Sequence, residues 1–226
     1  MSTLAAPPAA GRSWAPGPPR PQLAPRAAHV WRADLTRAPG ELAELLSPAE
    51  RARAERFHRE RDSELWARSR GMLRALLGRY LQSDPRLVPL TADRHGKPAV
   101  AFGRLSFNLS HSGGIALFAF AETGRVGVDV EVSRRPIDAA ALAGRAFGPA
   151  AAERLRRVDP ASREQEFLRA WVRHEAALKW RGTGIGGNAE EGDGRTPWIA
   201  ELENAGRAAA IALDAAPSEL RCWDWV

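Results

Sequence analysis

The chain has 226 residues, 44% of them hydrophobic, which suffices for one large domain or two small ones with a proper core. No apolar run is long enough to span a bilayer, the amino terminus lacks the basic start and apolar stretch of a signal peptide, and the single cysteine, Cys222, cannot close an internal disulfide, so a soluble protein of the reducing cytoplasm is expected. A net charge of +6 and a pI near 10.7 point to an acidic partner, which charge alone leaves open as nucleic acid, nucleotide, anionic membrane or acidic protein.

Residues 1–27 are rich in Ala and Pro and read as a disordered tail. A first strand follows through His29, Val30 and Trp31. Ser47-Pro48-Ala49-Glu50 spells a capping box with proline at the first helical position, opening a helix. Asp62 is placed to cap the next helix, in which Leu65, Met72, Leu73, Leu76, Leu77 and Tyr80 fall near helical spacing until Asp84-Pro85 stops it. Asp93-Arg94-His95-Gly96 is turn chemistry. Phe107-Asn108-Leu109 reads as a strand entering a turn at Ser110-His111-Ser112-Gly113-Gly114, and Ile115 to Ala121 as a buried central strand.

From Arg125 to Val132 the alternation is clean. Val126, Val128, Val130 and Val132 share one face, and Gly127, Asp129 and Glu131 the other. Helical stretches are expected at 138–146, 149–158 and 162–181, the last opened by Asp159-Pro160 and ended by Gly182-Thr183-Gly184. Residues 186–194 read as a flexible loop, and 198–202, 208–213 and 221–226 as strands. Helices and strands recur in both halves, so the fold class is α/β (α+β) with two related lobes, 28–123 and 124–226.

Several groups of residues are suited to chemistry. Asp129 and Glu131 on one strand face suit Mg²⁺, which takes carboxylate and phosphate oxygens; a solvated face paired to arginines is the alternative. Glu175 and Lys179, one helical turn apart, are either a surface ion pair or a metal ligand or general base beside a cation for a leaving phosphate. Of the 33 basic residues only Lys97 and Lys179 are lysine, so compact ammonium groups stand at two places in a chain that otherwise uses arginine, as phosphate contacts would. Ser110 and His111 fit phosphate binding better than a hydrolase triad, since no nucleophile elbow is spelled; hydroxyls satisfying the local backbone are the plain alternative. Arg51, Arg53 and Arg56, with Arg68, Arg70 and Arg74 on the next helix, form a basic face that suits either solvent or a polyanionic nucleotide. The glycines from Gly182 to Gly187 lack the Lys-Ser/Thr of a P-loop, and no His or Cys cluster has zinc spacing.

In order along the chain, Gly96-Lys97-Pro98, Phe107-Asn108-Leu109-Ser110-His111-Ser112, Gly127-Val128-Asp129-Val130-Glu131, and Trp171 to Lys179 with Arg181-Gly182-Thr183-Gly184 resemble the 4'-phosphopantetheinyl transferases of the surfactin-synthetase-activating (Sfp) type. The resemblance implies two similar lobes in pseudo-twofold relation with coenzyme A in the cleft between them. It implies Mg²⁺ held by Asp129, Glu131 and Glu175 against the coenzyme A pyrophosphate. A serine of an apo acyl or peptidyl carrier protein then attacks the phosphorus bearing the pantetheine arm, and adenosine 3',5'-bisphosphate leaves. Glu175 and Lys179 are the implied catalytic pair, and Arg53, Lys97, Ser110, His111 and Lys179 the implied coenzyme contacts. The carrier is expected to belong to fatty acid, polyketide or nonribosomal peptide synthesis, with secondary metabolism compatible with the composition. A monomer suffices, because one chain supplies both walls of the cleft. The family's usual lysine before Glu175 is replaced by His174. A nucleic-acid-binding module on the arginine helices is the competing reading; it leaves the three acids unexplained, and no nucleic-acid motif is present. A catalytically weak relative is the third.

Overall fold

The computed structural model describes residues 14–92, 97–101, 105–133, 136–182, 194–204 and 206–226. The expected turn at 93–96, Thr183, Gly184 and nearly all of the 186–194 loop lie outside the described residues.

The strands are β1 (Ala15–Pro16), β2 (Ala28–Asp34), β3 (Leu90–Ala92), β4 (Pro98–Val100), β5 (Ser106–Ser112), β6 (Ile115–Ala121), β7 (Val126–Glu131), β8 (Trp198–Glu201), β9 (Ala208–Leu213) and β10 (Leu220–Asp224). The α-helices are α1 (Pro48–Ala54), α2 (Glu60–Leu81), α3 (Ala139–Phe147), α4 (Pro149–Arg156) and α5 (Pro160–Arg181). A large sheet has the order β1-β10-β2-β6-β5, a small one the order β7-β9-β8, and β3 and β4 pair antiparallel. None of the helices among the described residues is long and apolar enough to cross a membrane.

Strand alternation builds the layers. Val30, Leu117 and Ala119 of the large sheet face Val126, Val128, Val130, Ile211 and Leu213 of the small one in a single apolar layer. The opposite face of the large sheet, with Trp31, Phe118 and Phe120, takes Met72, Leu73, Leu76 and Leu77 of α2. On the outer face of the small sheet, Ala208, Ala210 and Ala212 take Val172, Ala176 and Trp180 of α5. The order is therefore helix, sheet, sheet, helix, the mixed α/β class expected, and the two long helices have 22 residues each. Small alanines on β9 and Gly127 on β7 let α5 lie close on the small sheet. A Cβ on Gly127 would stand 2.1 Å from the Ala176 carbonyl oxygen and 2.5 Å from the Trp180 nitrogen.

Several expectations need correction. The tail does not extend to residue 27: β1 pairs parallel with β10, Trp14 Nε1 donates to the Glu203 carbonyl, and the Arg32 guanidinium stands 4.3 Å over the Trp14 ring. The last strand does not stay with the second half either. β10 is inserted between β1 and β2, parallel to both, so the carboxyl terminus completes the large sheet. The tail was expected from its Ala and Pro content, which does not exclude a short edge strand, and the place of the last strand from a periodicity that reports which face is apolar and not which strand lies alongside. Asp62 lies in the first turn of α2 rather than capping it; the residue at the cap position is Arg59, without a side-chain cap bond. Ser110 to Ser112 belong to β5, because Gly113 and Gly114, with φ of +65° and +87°, make the two-residue hairpin turn by themselves. The arginines of α2 are largely internal. Arg74 is 3% exposed and bonds Glu50 at 2.6 Å, Arg70 meets the other Glu50 oxygen at 3.0 Å, and Arg68 donates to the Leu35 carbonyl. The basic face is accordingly narrower than its sequence suggests. The capping box of α1 forms as expected, with both of its hydrogen bonds in place.

Candidate active site

The edge strands β5 and β7, one from each sheet, meet through side chains instead of a backbone ladder. Every second residue of β5 reaches across. Asn108 Oδ1 accepts from the Val128 N–H at 2.8 Å, Ser110 Oγ donates to Asp129 Oδ1 at 2.7 Å, and Ser112 Oγ donates to Glu131 Oε2 at 2.8 Å. The period-two polarity of β5 thus matches that of β7, and each hydroxyl fixes one carboxylate. Neither Asn108 nor Ser112 was singled out as a site residue. The alternation of Asn108, Ser110 and Ser112 against Phe107 and Leu109 was the signal that could have found them.

From the other side α5 delivers Glu175 and Lys179. Lys179 Nζ lies 2.6 Å from Asp129 Oδ1, so that oxygen has both an ammonium and a hydroxyl as donors. Asp129 is 3% exposed and its second oxygen, Oδ2, is buried with no hydrogen-bond partner. A buried carboxylate oxygen without a donor is costly, and its neighbours add negative charge instead of relieving it. Glu175 is 6% exposed; burial pushes its pKa up, as do the charges of Asp129 and Glu131, while Lys179 works against them. Glu131, half-buried, is likewise raised by burial and by Asp129, against the bonds from Ser112 and Trp171 and the Lys179 charge. Three carboxylates within mutual electrostatic reach, two of them destabilised in the charged form, call for cationic charge that Lys179 supplies only in part. As they stand, among the described residues no three Asp, Glu, His or Cys side chains are gathered closely enough to enclose a metal ion. The donor set suits an open site, where a hard cation takes a few carboxylate oxygens and shares the rest of its shell with water and substrate.

The remaining expected residues are placed as follows. His111, next to Ser110 but on the opposite side of β5, is exposed; partial dehydration by its neighbours and the Lys179 ammonium both hold its pKa below the usual histidine value. Lys97 directs its ammonium onto two backbone carbonyls, that of Lys179 at 2.7 Å and that of Val126 at 3.2 Å. Arg53 is exposed on α1, 5.6 Å from the Trp66 ring, and lines a pocket of about 590 Å³ with Arg56, Arg70, Arg74 and Thr91. The pocket reaches β3, whose hairpin partner β4 begins immediately after Lys97, so the basic pocket and the acid cluster are linked through that hairpin. His174, half-buried, stands edge-on to Phe147 with ring centroids 5.3 Å apart; burial and then Arg181 lower its pKa. Beside Glu131 and Glu175 opens an apolar groove of about 840 Å³, walled by Ile137, Leu142, Phe167, Trp171 and Leu178.

The acids thus stand at the rim of an apolar groove, with arginines in a separate pocket. Two family models match consecutive stretches of the chain: 4'-phosphopantetheinyl transferase, N-terminal, over residues 31–123, and the 4'-phosphopantetheinyl transferase superfamily over residues 125–218. Among relatives, the 4'-phosphopantetheinyl transferase HetI of Nostoc sp. is 37% identical over 180 residues, covering 76% of each chain. A putative 4'-phosphopantetheinyl transferase of Synechocystis sp. is 35% identical over 65% of this chain and 61% of its own, and a phosphopantetheinyl transferase of Thraustochytrium sp. 32% identical over 80% and 64%. The chain belongs to the 4'-phosphopantetheinyl transferase family, and it is an enzyme of that activity.

Proposed function

We propose that the protein is a magnesium-dependent transferase of the Sfp type that moves the 4'-phosphopantetheine arm of coenzyme A onto a serine of an apo acyl or peptidyl carrier protein. The observation that carries this reading is Asp129. It is buried, held through one oxygen by Ser110 and Lys179, and has its other oxygen unpartnered beside Glu131 and Glu175. We assign Asp129, Glu131 and Glu175 as the residues that would hold Mg²⁺, which when bound would offset the charge gathering on the pyrophosphate oxygens.

In the reaction the serine Oγ forms a bond to the phosphorus bearing the pantetheine arm, the bond from that phosphorus to the bridging oxygen breaks, and adenosine 3',5'-bisphosphate leaves. Glu175, on the helix turn before Lys179, would accept the serine proton. Lys179 stands where it can transfer its ammonium from Asp129 to the departing phosphate. The pocket of Arg53 and Arg56 is suited to the 3'-phosphate end of the coenzyme, with His111 as a further phosphate contact. Ser110 and Lys97 were expected to touch phosphate too. Their polar atoms are engaged within the protein, and we infer supporting roles for both. The apolar groove beside Glu131 is suited to the pantetheine arm or to the apolar face of a carrier helix.

The test is the intact mass of apo carrier proteins after incubation with the enzyme, coenzyme A and Mg²⁺, with and without EDTA. A gain of one phosphopantetheine that EDTA abolishes is the expected result. Transfer undiminished by EDTA would remove the metal assignment, and a panel of carriers from fatty acid, polyketide and nonribosomal peptide systems would show which the enzyme prefers.

A further inference from the structure

The two lysines of the chain meet. Lys179 binds Asp129 through its ammonium while its own carbonyl oxygen accepts from Lys97 Nζ at 2.7 Å. That carbonyl lies in the last turn of α5, where the final four C=O groups have no partner within the helix and the helix dipole places partial negative charge. Gly182 N–H closes one of them, Leu178 O. Lys97 closes another from outside, and the same ammonium reaches Val126 O at the first residue of β7.

We propose that Lys97 is a positioning residue that caps α5 from the first half of the chain. It ties the end of the helix to the start of β7 and thereby sets Lys179 and Glu175 against Asp129. Three observations support this in combination. The contact joins segments 82 residues apart in sequence, so it constrains tertiary position and not local geometry. It falls at the residue whose side chain meets the buried acid, so a shift of that carbonyl is passed directly to the ammonium. It also lies beside the Gly127 contact, where α5 has no spare distance from β7. A lysine suits the task where arginine does not, since a compact ammonium donates to two converging carbonyls while a guanidinium presents a flat fork. Trp180 is anchored separately, through Nε1 to Asp214 Oδ1 at 2.9 Å, so loss of the Lys97 cap loosens the helix end without releasing it.

The inference rests on the transferase reading for its kinetic arm, and its structural arm is independent of it. Lys97→Met is compared with wild type by steady-state transfer kinetics in coenzyme A and by amide hydrogen exchange across residues 176–182. The expected result is a kcat lower by about tenfold, a KM for coenzyme A within about twofold of wild type, and faster exchange at those amides. A KM raised about tenfold with kcat and exchange unchanged would make Lys97 a phosphate contact and overturn the proposal, as would no change in either measurement. Lys97→Gln, which keeps a shorter donor, serves if the methionine variant fails to fold; exchange there should be faster than in wild type, and exchange equal to wild type counts against the cap. If wild-type protein proved inactive on every carrier, the exchange measurement would still decide the cap while the transferase reading failed on its own.

Discussion

Replacing Gly127 by alanine tests whether the contact between α5 and β7 sets the active site. The added Cβ would stand 2.1 Å from Ala176 O and 2.5 Å from Trp180 N, about 1 Å inside ordinary van der Waals contact, and both are backbone atoms that no rotamer change can move aside. The helix has to lift from the strand. Overpacking of this kind costs about 1–3 kcal/mol of stability. Lifting α5 by about 1 Å carries with it Glu175 and Lys179, the immediate neighbours of the two contacted residues, and a misplacement of that size lowers turnover by roughly 100-fold. Urea denaturation followed by tryptophan fluorescence reads the first effect, since Trp180 lies at the contact. Transfer of phosphopantetheine to a carrier, with kcat separated from KM, reads the second. Gly144→Ala is the control: its Cβ would meet Ala152 Cβ at an ordinary 3.4 Å, at a position of α3 that does not line the groove beside the acids, and should be neutral or stabilising by a few tenths of a kcal/mol to about 1. If Gly127→Ala kept turnover within about twofold and lost less than about 0.5 kcal/mol, the closeness of helix and strand would not be what sets the acids, and the reasoning fails.

Further outcomes follow from the same geometry. Glu175→Gln should cut transfer by at least about 100-fold while leaving the unfolding midpoint unchanged or higher, because it removes a buried charge that burial, Asp129 and Glu131 all disfavour; a lowered midpoint with activity retained would contradict both roles. His29, 1% exposed, is hydrogen-bonded through Nδ1 to Tyr80 Oη at 2.8 Å, Tyr80 Oη accepts from Trp31 Nε1, and burial, then Arg221 against Glu219, holds the His29 pKa down to about 4 from 6.5. The unfolded chain therefore takes up the proton first as pH falls, so stability that is full above pH 6.5 is lost toward pH 4, by about 2 kcal/mol at pH ~5. Denaturant melts across that range should show the loss, and His29→Asn, which keeps a hydrogen-bond partner for Tyr80, should flatten it; an unchanged slope assigns the loss elsewhere. Removing residues 1–17 deletes β1 and the Trp14 ring under Arg32 and should cost about 1–2 kcal/mol by thermal or urea melts, with transfer kinetics unaltered at temperatures where the protein is folded.

The parts of the fold written in local period were legible in the sequence. The alternation from Val126 to Glu131 put the valines on one face and the acids on the other, and the structure keeps that division, with the valines in the layer between the sheets and Asp129 meeting Lys179 of α5. Gly127, on the same face as the acids, is met by the backbone of α5. What a period of two or 3.6 does not encode is which element lies alongside another. The insertion of β10 between β1 and β2 joins the two ends of the chain, and no residue type in Leu220 to Asp224 distinguishes a strand of the large sheet from one of the small. The arginines of α2 were read as a surface for the same reason, since the buried partner Glu50 comes from a different helix.

The site shows the same limit more sharply. Residue types revealed that Asp129, Glu131, Glu175 and Lys179 are chemically suited to one another, but the sequence left Ser110 and Lys97 as candidates for phosphate because an isolated hydroxyl or ammonium is equally apt for a ligand and for the protein's own groups. Ser110 and Ser112 spend their protons on Asp129 and Glu131, and Lys97 spends its own on the carbonyls of Val126 and Lys179. The hydroxyls of Ser110 and Ser112 hold Asp129 and Glu131 in place while adding no charge, which leaves the Lys179 ammonium as the cation bonded to Asp129. That division explains why β5 offers serines where arginines are abundant elsewhere in the chain. An arginine in place of Ser110 would fix Asp129 as firmly, but would add a second cation to the one Lys179 supplies and so cancel more of the negative potential that the proposed divalent cation would use.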